Sequence, residues 1–159
     1  MTRYAAQTTV STERSIADIK ALLARHGSDK FSTDETPGRV AILFGAHGRQ
    51  FMFVVPLPAR DAPEFVRTPA RGTERPPAEA YRLWEQACRA RYRALVLVIR
   101  AKVEAVEGGI ETFEDAFFAH TVLPNDGRTL GEVLRPALAR AYETLDSTPL
   151  LPAPPPETP

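Results

Sequence analysis

The fold turns on the stretch from Pro77 to Gly109, which reads PAEAYRLWEQACRARYRALVLVIRAKVEAVEGG. Trp84, Cys88, Tyr92, Leu95, Ile99, Val103 and Val106 recur three and four residues apart, the spacing of one helix face. Pro76 and Pro77 suit a first helical turn, where no partner is lost with the missing N–H, and Gly108-Gly109 suit its end. The run Ala94 to Ile99 is apolar all round and alone would pass for a strand. The helical period on either side of it is sustained for too long, so the spacing predicts a helix over about 77–108. That helix is the expected central beam.

Upstream, Val40 to Phe44 and Phe51 to Val55 are apolar and rich in β-formers, with the glycine-containing Gly45 to Gln50 between them. This predicts a hairpin over about 40–57, closed by Pro56 and Pro58. A lone hairpin is marginal, so the long helix must cover one face. Ser11 or Thr12 opens a short amphipathic helix over about 13–26, with Ile16, Ile19, Leu22 and Leu23 on one side and Gly27 after it. Residues 28–38 read as a loop or a short strand around Phe31. The stretch 59–77 interleaves Pro63, Pro69, Pro76 and Pro77 with Arg60, Arg67, Arg71 and Arg75 and reads as a long exposed loop.

Downstream, Thr112 with Asp115 opens a helix carrying Phe113, Ala116, Phe117 and His120. Pro124-Asn125-Asp126-Gly127 is a turn. Thr129 with Glu132 forms a capping box for a last helix over about 130–145, bearing Leu130, Leu134, Leu138, Ala141 and Leu145. Pro136 inside it predicts a displaced start or a kink. The expected fold class is α+β: a small antiparallel sheet packed on the long helix, with two or three shorter helices. One domain over 13–146 is expected between a flexible N-terminus, 1–12, and a disordered tail, 147–159, that holds six of the fifteen prolines.

Composition narrows the function. The 159 residues carry twenty Lys+Arg against twenty Asp+Glu, with 43% hydrophobic and 25% charged residues, an ordinary globular balance. No apolar run approaches the roughly 20 residues of a membrane span, and Met1-Thr2-Arg3-Tyr4 lacks a signal-peptide core, so a cytoplasmic protein is expected. The single Cys88 excludes an internal disulfide and a cysteine zinc cluster, and no cofactor is expected. Under the zero net charge lies an asymmetry. Arg60 to Lys102 holds ten basic and five acidic residues, whereas Val103 to Asp126 holds six acidic and no basic ones.

On the long helix, Arg75, Arg82, Arg89, Arg93 and Arg100 fall within about 40° of one another, a second stripe beside the apolar one. With Arg67 and Arg71 they suit a phosphate backbone, and Tyr81, Trp84 and Tyr92 lie where unpaired bases would stack. A solvated face with Glu79, Glu85 and Glu104 as partners is the competing reading. Glu104, Glu107, Glu111 and Glu114 form an acidic run of the kind that binds Mg²⁺ or Mn²⁺, although a helix N-terminus favours such residues without metal. His47, between Gly45 and Gly48, could approach a ligand but reads as simply exposed, His26 as a helix-end residue that favours the dipole, and Cys88 as a small core residue of the apolar stripe. Nucleophile elbows, Walker loops and dinucleotide fingerprints do not occur, so a nucleophilic enzyme has no support in the sequence.

The run from Arg91 to Glu114, RYRALVLVIRAKVEAVEGGIETFE, resembles a family of short uncharacterised proteins encoded in bacteriophages and prophages. Their shared pattern is R-W/Y-R-A-L-x-L-x-I-K-A-K-x-E-A-V-E-x-G-I-x-T-F-E, followed by a proline-and-glycine turn like Pro124 to Gly127. Arg100 stands where that pattern has lysine. The Ile42 to Pro58 segment is similar too. The resemblance implies a mobile-element origin and brings no catalytic residue. Three functions follow as expectations. The first is a non-enzymatic accessory protein that binds nucleic acid, as in single-strand binding or annealing during replication or recombination. The second is a protein that self-associates or binds a host protein without nucleic acid. The third is a metal-dependent hydrolase built on the acidic run.

Overall fold

A computed structural model describes residues 5–147 and Leu150. Helix α1 (Thr12–Ala24) leads into strands β1 (Ser28–Thr36), β2 (Arg39–Ala46) and β3 (Arg49–Pro56), and then α2 (Pro63–Val66) and α3 (Pro77–Glu107). Helix α4 (Phe113–Phe117) runs on into a 3₁₀ turn (Phe118–His120), and α5 (Leu130–Thr144) follows. The strands form one antiparallel sheet in the order β1-β2-β3. The α+β class and the long central helix are as expected from the sequence.

Alternation sets the sheet faces. Val40, Ile42, Phe44 and Ala46 of β2 and Phe51, Phe53 and Val55 of β3 point to the core, where they meet Tyr92, Val96, Ile99 and Val103 of α3. Rings dominate the middle of this core. Phe113 and Phe117 stack with centroids 4.5 Å apart, and Phe117 stands edge-on to Phe44 at 5.8 Å. Burial pushes the Tyr92 hydroxyl up to about 12, with Glu35 adding to the shift. It raises the Cys88 thiol as well, so that cysteine is an inert core group.

Four expectations need correction. The hairpin loop is His47-Gly48 alone, both at positive φ (50° and 73°), because strand pairing runs from Arg39–Pro56 up to Ala46–Arg49. A two-residue loop with positive φ at both positions matches the twist of the strands. The segment 28–38 is a full nine-residue edge strand joined to β2 through Pro37-Gly38. The loop over 59–77 is folded: Phe65 of α2 is buried, and Arg67 pairs with Glu74 across a small turn tied by Thr68 N–H donating to the Thr73 carbonyl at 2.9 Å. Finally, residues 5–11 are not loose, since Ala5 is buried and Gln86 Nε2 donates to the Ala6 and Thr8 carbonyls at 3.0 and 2.8 Å. The expected proline tail lies outside the described residues apart from Ser147 and Leu150.

Candidate functional site

The arginine stripe does not form a continuous basic face. Arg75 Nη1 lies 2.7 Å from Glu79, its Nε donates to the Arg67 carbonyl, and its side chain is only 14% exposed. Arg89 Nη1 lies 3.3 Å from Glu85, and its Nη2 donates to Gln86 Oε1 at 3.0 Å. Arg93 reaches across to Asp18 of α1 at 3.2 Å, and the other oxygen of that carboxylate holds Arg14 at 3.2 Å. Arg82 and Arg100 are exposed and make no ion pair among the described residues. Eighteen residues of helix put them about 27 Å apart. Glu79 and Glu85 therefore act as the competing reading expected, and Asp18, distant in sequence, joins them.

The aromatics behave likewise. Tyr92 is buried, so it offers no stacking surface. Trp84 is half-buried, and its Nε1–H donates to the Pro58 carbonyl at 2.9 Å. Tyr81 is exposed, but the Arg60 guanidinium sits over its ring at 4.7 Å and over Trp84 at 5.8 Å. Near this group Arg67 and Arg71 lie open at the surface. Of the predicted basic site, Arg67, Arg71, Arg82 and Arg100 remain exposed without an ion pair among the described residues, and Arg60, outside that set, lies over Tyr81 near the start of α3.

The acidic run does not converge. Glu107 pairs with His26 at 3.1 Å, Glu114 faces Arg49 at 3.9 Å, and Glu104 and Glu111 are exposed. Among the described residues no three His, Cys, Asp or Glu side chains are grouped to hold a metal ion. Two of the four carboxylates of the run thus face basic groups on different elements. His47 of the hairpin lies against Phe113, with ring centroids 4.7 Å apart.

The surface feature that the charge pattern did not point to is α5. Its start is well built. Thr129 Oγ1 caps Glu132 N–H, and Glu132 returns to the Thr129 N–H at 2.7 Å, which lowers the Glu132 carboxyl below its usual range. Gly131 lets this turn approach the 3₁₀ segment, since a Cβ there would lie 2.9 Å from the Ala119 carbonyl oxygen. Beyond that first turn the helix has little support and no buried residue. Leu134 is 37% exposed, Leu138 47%, Tyr142 78% and Leu145 92%. These side chains line one side, and a shallow cleft of about 330 Å³ runs between Leu138, Ala141, Tyr142, Leu145 and Leu150.

The sequence did hold this signal. The apolar period of α5 is plain in the sequence, and the fold adds that none of its fifteen residues is buried among the described residues. Among the described residues no helix is long and apolar enough to cross a membrane. The chain matches no family model, no curated protein and no solved structure.

Proposed function

We propose that the protein works as a non-enzymatic interaction module that binds another folded polypeptide through the apolar side of α5. One observation carries this reading: a fifteen-residue amphipathic helix with a complete capping box has no buried residue of its own. Most helical stability comes from packing an apolar face, so a helix kept well capped but uncovered suits a face that is covered in a complex. Rows of residues spaced three and four apart are the anchors by which helices enter grooves or pair. An accessory protein of a mobile element would use such a helix to reach its partner.

The test compares native protein with Leu138→Glu, a change at an exposed site that leaves the core alone. Immobilised native protein should retain a partner polypeptide, a second copy included, and that partner should slow hydrogen exchange of the α5 amides. Leu138→Glu should lose both effects while keeping the native melting temperature. Equal capture by the two proteins would refute the reading.

A second reading, nucleic-acid binding, draws on the exposed Arg60, Arg67, Arg71 and Arg82, with Tyr81 beside Arg60. It ranks below the first, because Arg75, Arg89 and Arg93 are already paired with carboxylates.

A further inference from the structure

We propose that residues 151–159 of the same chain lie along the apolar side of α5 as a strap that a partner must displace. This rests on the reading of α5 as a binding helix and adds how that helix is regulated. The described chain already begins the contact. Leu145, which ends α5, stands at φ 56° and ψ 27°, a left-handed turn that takes the backbone off the helix axis. Leu150 N–H then donates to the Ser147 carbonyl at 2.9 Å. Ser147 and Leu150 line one cleft with Leu138, Ala141, Tyr142 and Leu145, and Leu150 is half-buried there. Because Leu138 lies well inside the helix, the chain has doubled back by Leu150. The apolar side of α5 is met first by its own chain.

The sequence beyond Leu150 suits the same path. Residues 151–159 read LPAPPPETP, five prolines in nine residues with a single charge. Proline fixes φ, so such a run favours the polyproline helix, with three residues per turn and about 3.1 Å per residue. With that period the side that carries Leu150 continues through Ala153, Pro156 and Pro159, all apolar. Glu157 and Thr158 fall on the other two sides. A run with its backbone already set also loses little freedom when it docks, which favours its seating on an apolar surface.

The lengths agree. Nine residues extend about 28 Å, against about 22 Å for the fifteen of α5. Running back toward the helix start, Ala153 comes about 9 Å beyond Leu150 and so level with Leu134. At about 100° per residue, Leu134, Leu138, Ala141 and Leu145 fall within about 60° of one another, a strip that one extended segment can cover.

The test uses the full chain. With no partner present, Leu150→Asp should speed hydrogen exchange across residues 134–145 about tenfold and leave the melting temperature where it is. Leu134→Cys combined with Ala153→Cys should close a disulfide at monomer mass, while Cys88 is buried and takes no part. Ala139→Cys, turned away from the strip, should not close with Ala153→Cys. The closed form should capture no polypeptide until it is reduced. Exchange unmoved by Leu150→Asp overturns the inference, and so does equal closure from Ala139→Cys. A cross-link found only at dimer mass assigns the cover to a second copy and overturns the strap as well. Undiminished capture by the closed form overturns the regulatory role. If the strap fails on these readouts but Leu138→Glu still abolishes capture, the binding helix stands without it. If the strap holds and Leu138→Glu captures as well as native protein, α5 serves only its own chain and the binding reading falls.

Discussion

His120 shows how one side chain ties the sheet to the helices and makes stability depend on pH. Its ring lies flat on Phe53 with centroids 3.8 Å apart. Burial holds its pKa below the ordinary histidine value, the nearby Lys102 ammonium adds to that, and a backbone hydrogen bond at Met52 works the other way. The folded chain therefore takes up this proton less readily than the unfolded one. The resulting stabilisation is complete above the unfolded histidine value, about 6.5, and is lost as the pH falls through and below it. Urea midpoints should fall between about pH 7.5 and about pH 5, and His120→Phe should flatten that dependence. The lowered carboxyls Asp126 and Glu132 act in a different window, since stability from a depressed carboxyl is lost only as the pH falls below its unfolded value, 3.8 for Asp126 and 4.5 for Glu132. A profile unchanged by His120→Phe would show that other groups set the slope.

Among the elements, α5 is the one whose local chemistry and tertiary support come apart. Removing its cap with Thr129→Ala should cost about 1 kcal/mol of helix stability. Because no residue of the helix is fully buried, that loss should appear as faster hydrogen exchange across residues 130–144 while the global melting temperature barely moves. A large fall in melting temperature instead would mean that α5 supports the core. The same contrast explains which elements were legible. The span of α3, Pro77–Glu107, follows from a period carried over eight turns and a double-glycine stop, and the caps at Thr112 and Thr129 are local pairs three residues apart. Strand β1 was hidden because Ser28-Asp29-Lys30-Phe31-Ser32-Thr33-Asp34 has no apolar alternation. An edge strand exposed along most of its length, resting on the core through Phe31, needs none, and its order comes from pairing with β2. In the 59–77 stretch a single apolar anchor, Phe65, has no period to reveal it. The fate of the arginine stripe was least legible. A helical wheel shows which arginines align, but the carboxylate that binds Arg93 is Asp18, 75 residues away.

For the whole molecule, the zero net charge conceals a basic stretch and an acidic one, each partly paired within the molecule and partly exposed. Arg49 meets Glu114, His26 meets Glu107, and three of the five aligned arginines, Arg75 just before α3 and Arg89 and Arg93 within it, are paired with carboxylates. This limits what a polyanion can gain. Near the start of α3, Arg60, Arg67, Arg71 and Arg82 are exposed without an ion pair among the described residues, and each phosphate neutralised on duplex DNA contributes about −0.9 to the logarithmic salt slope. Fluorescence anisotropy with labelled DNA should therefore give weak binding with a slope no steeper than about −4. Freeing the paired guanidiniums should deepen it: Glu79→Gln with Glu85→Gln releases Arg75 and Arg89 and should steepen the slope by about two. A native slope beyond about −6 would mean that the internal ion pairs open onto phosphates, and would put nucleic-acid binding ahead of the helix interaction. A double variant no steeper than native would mean that those two arginines serve the fold alone, holding the start and middle of α3 against their own carboxylates.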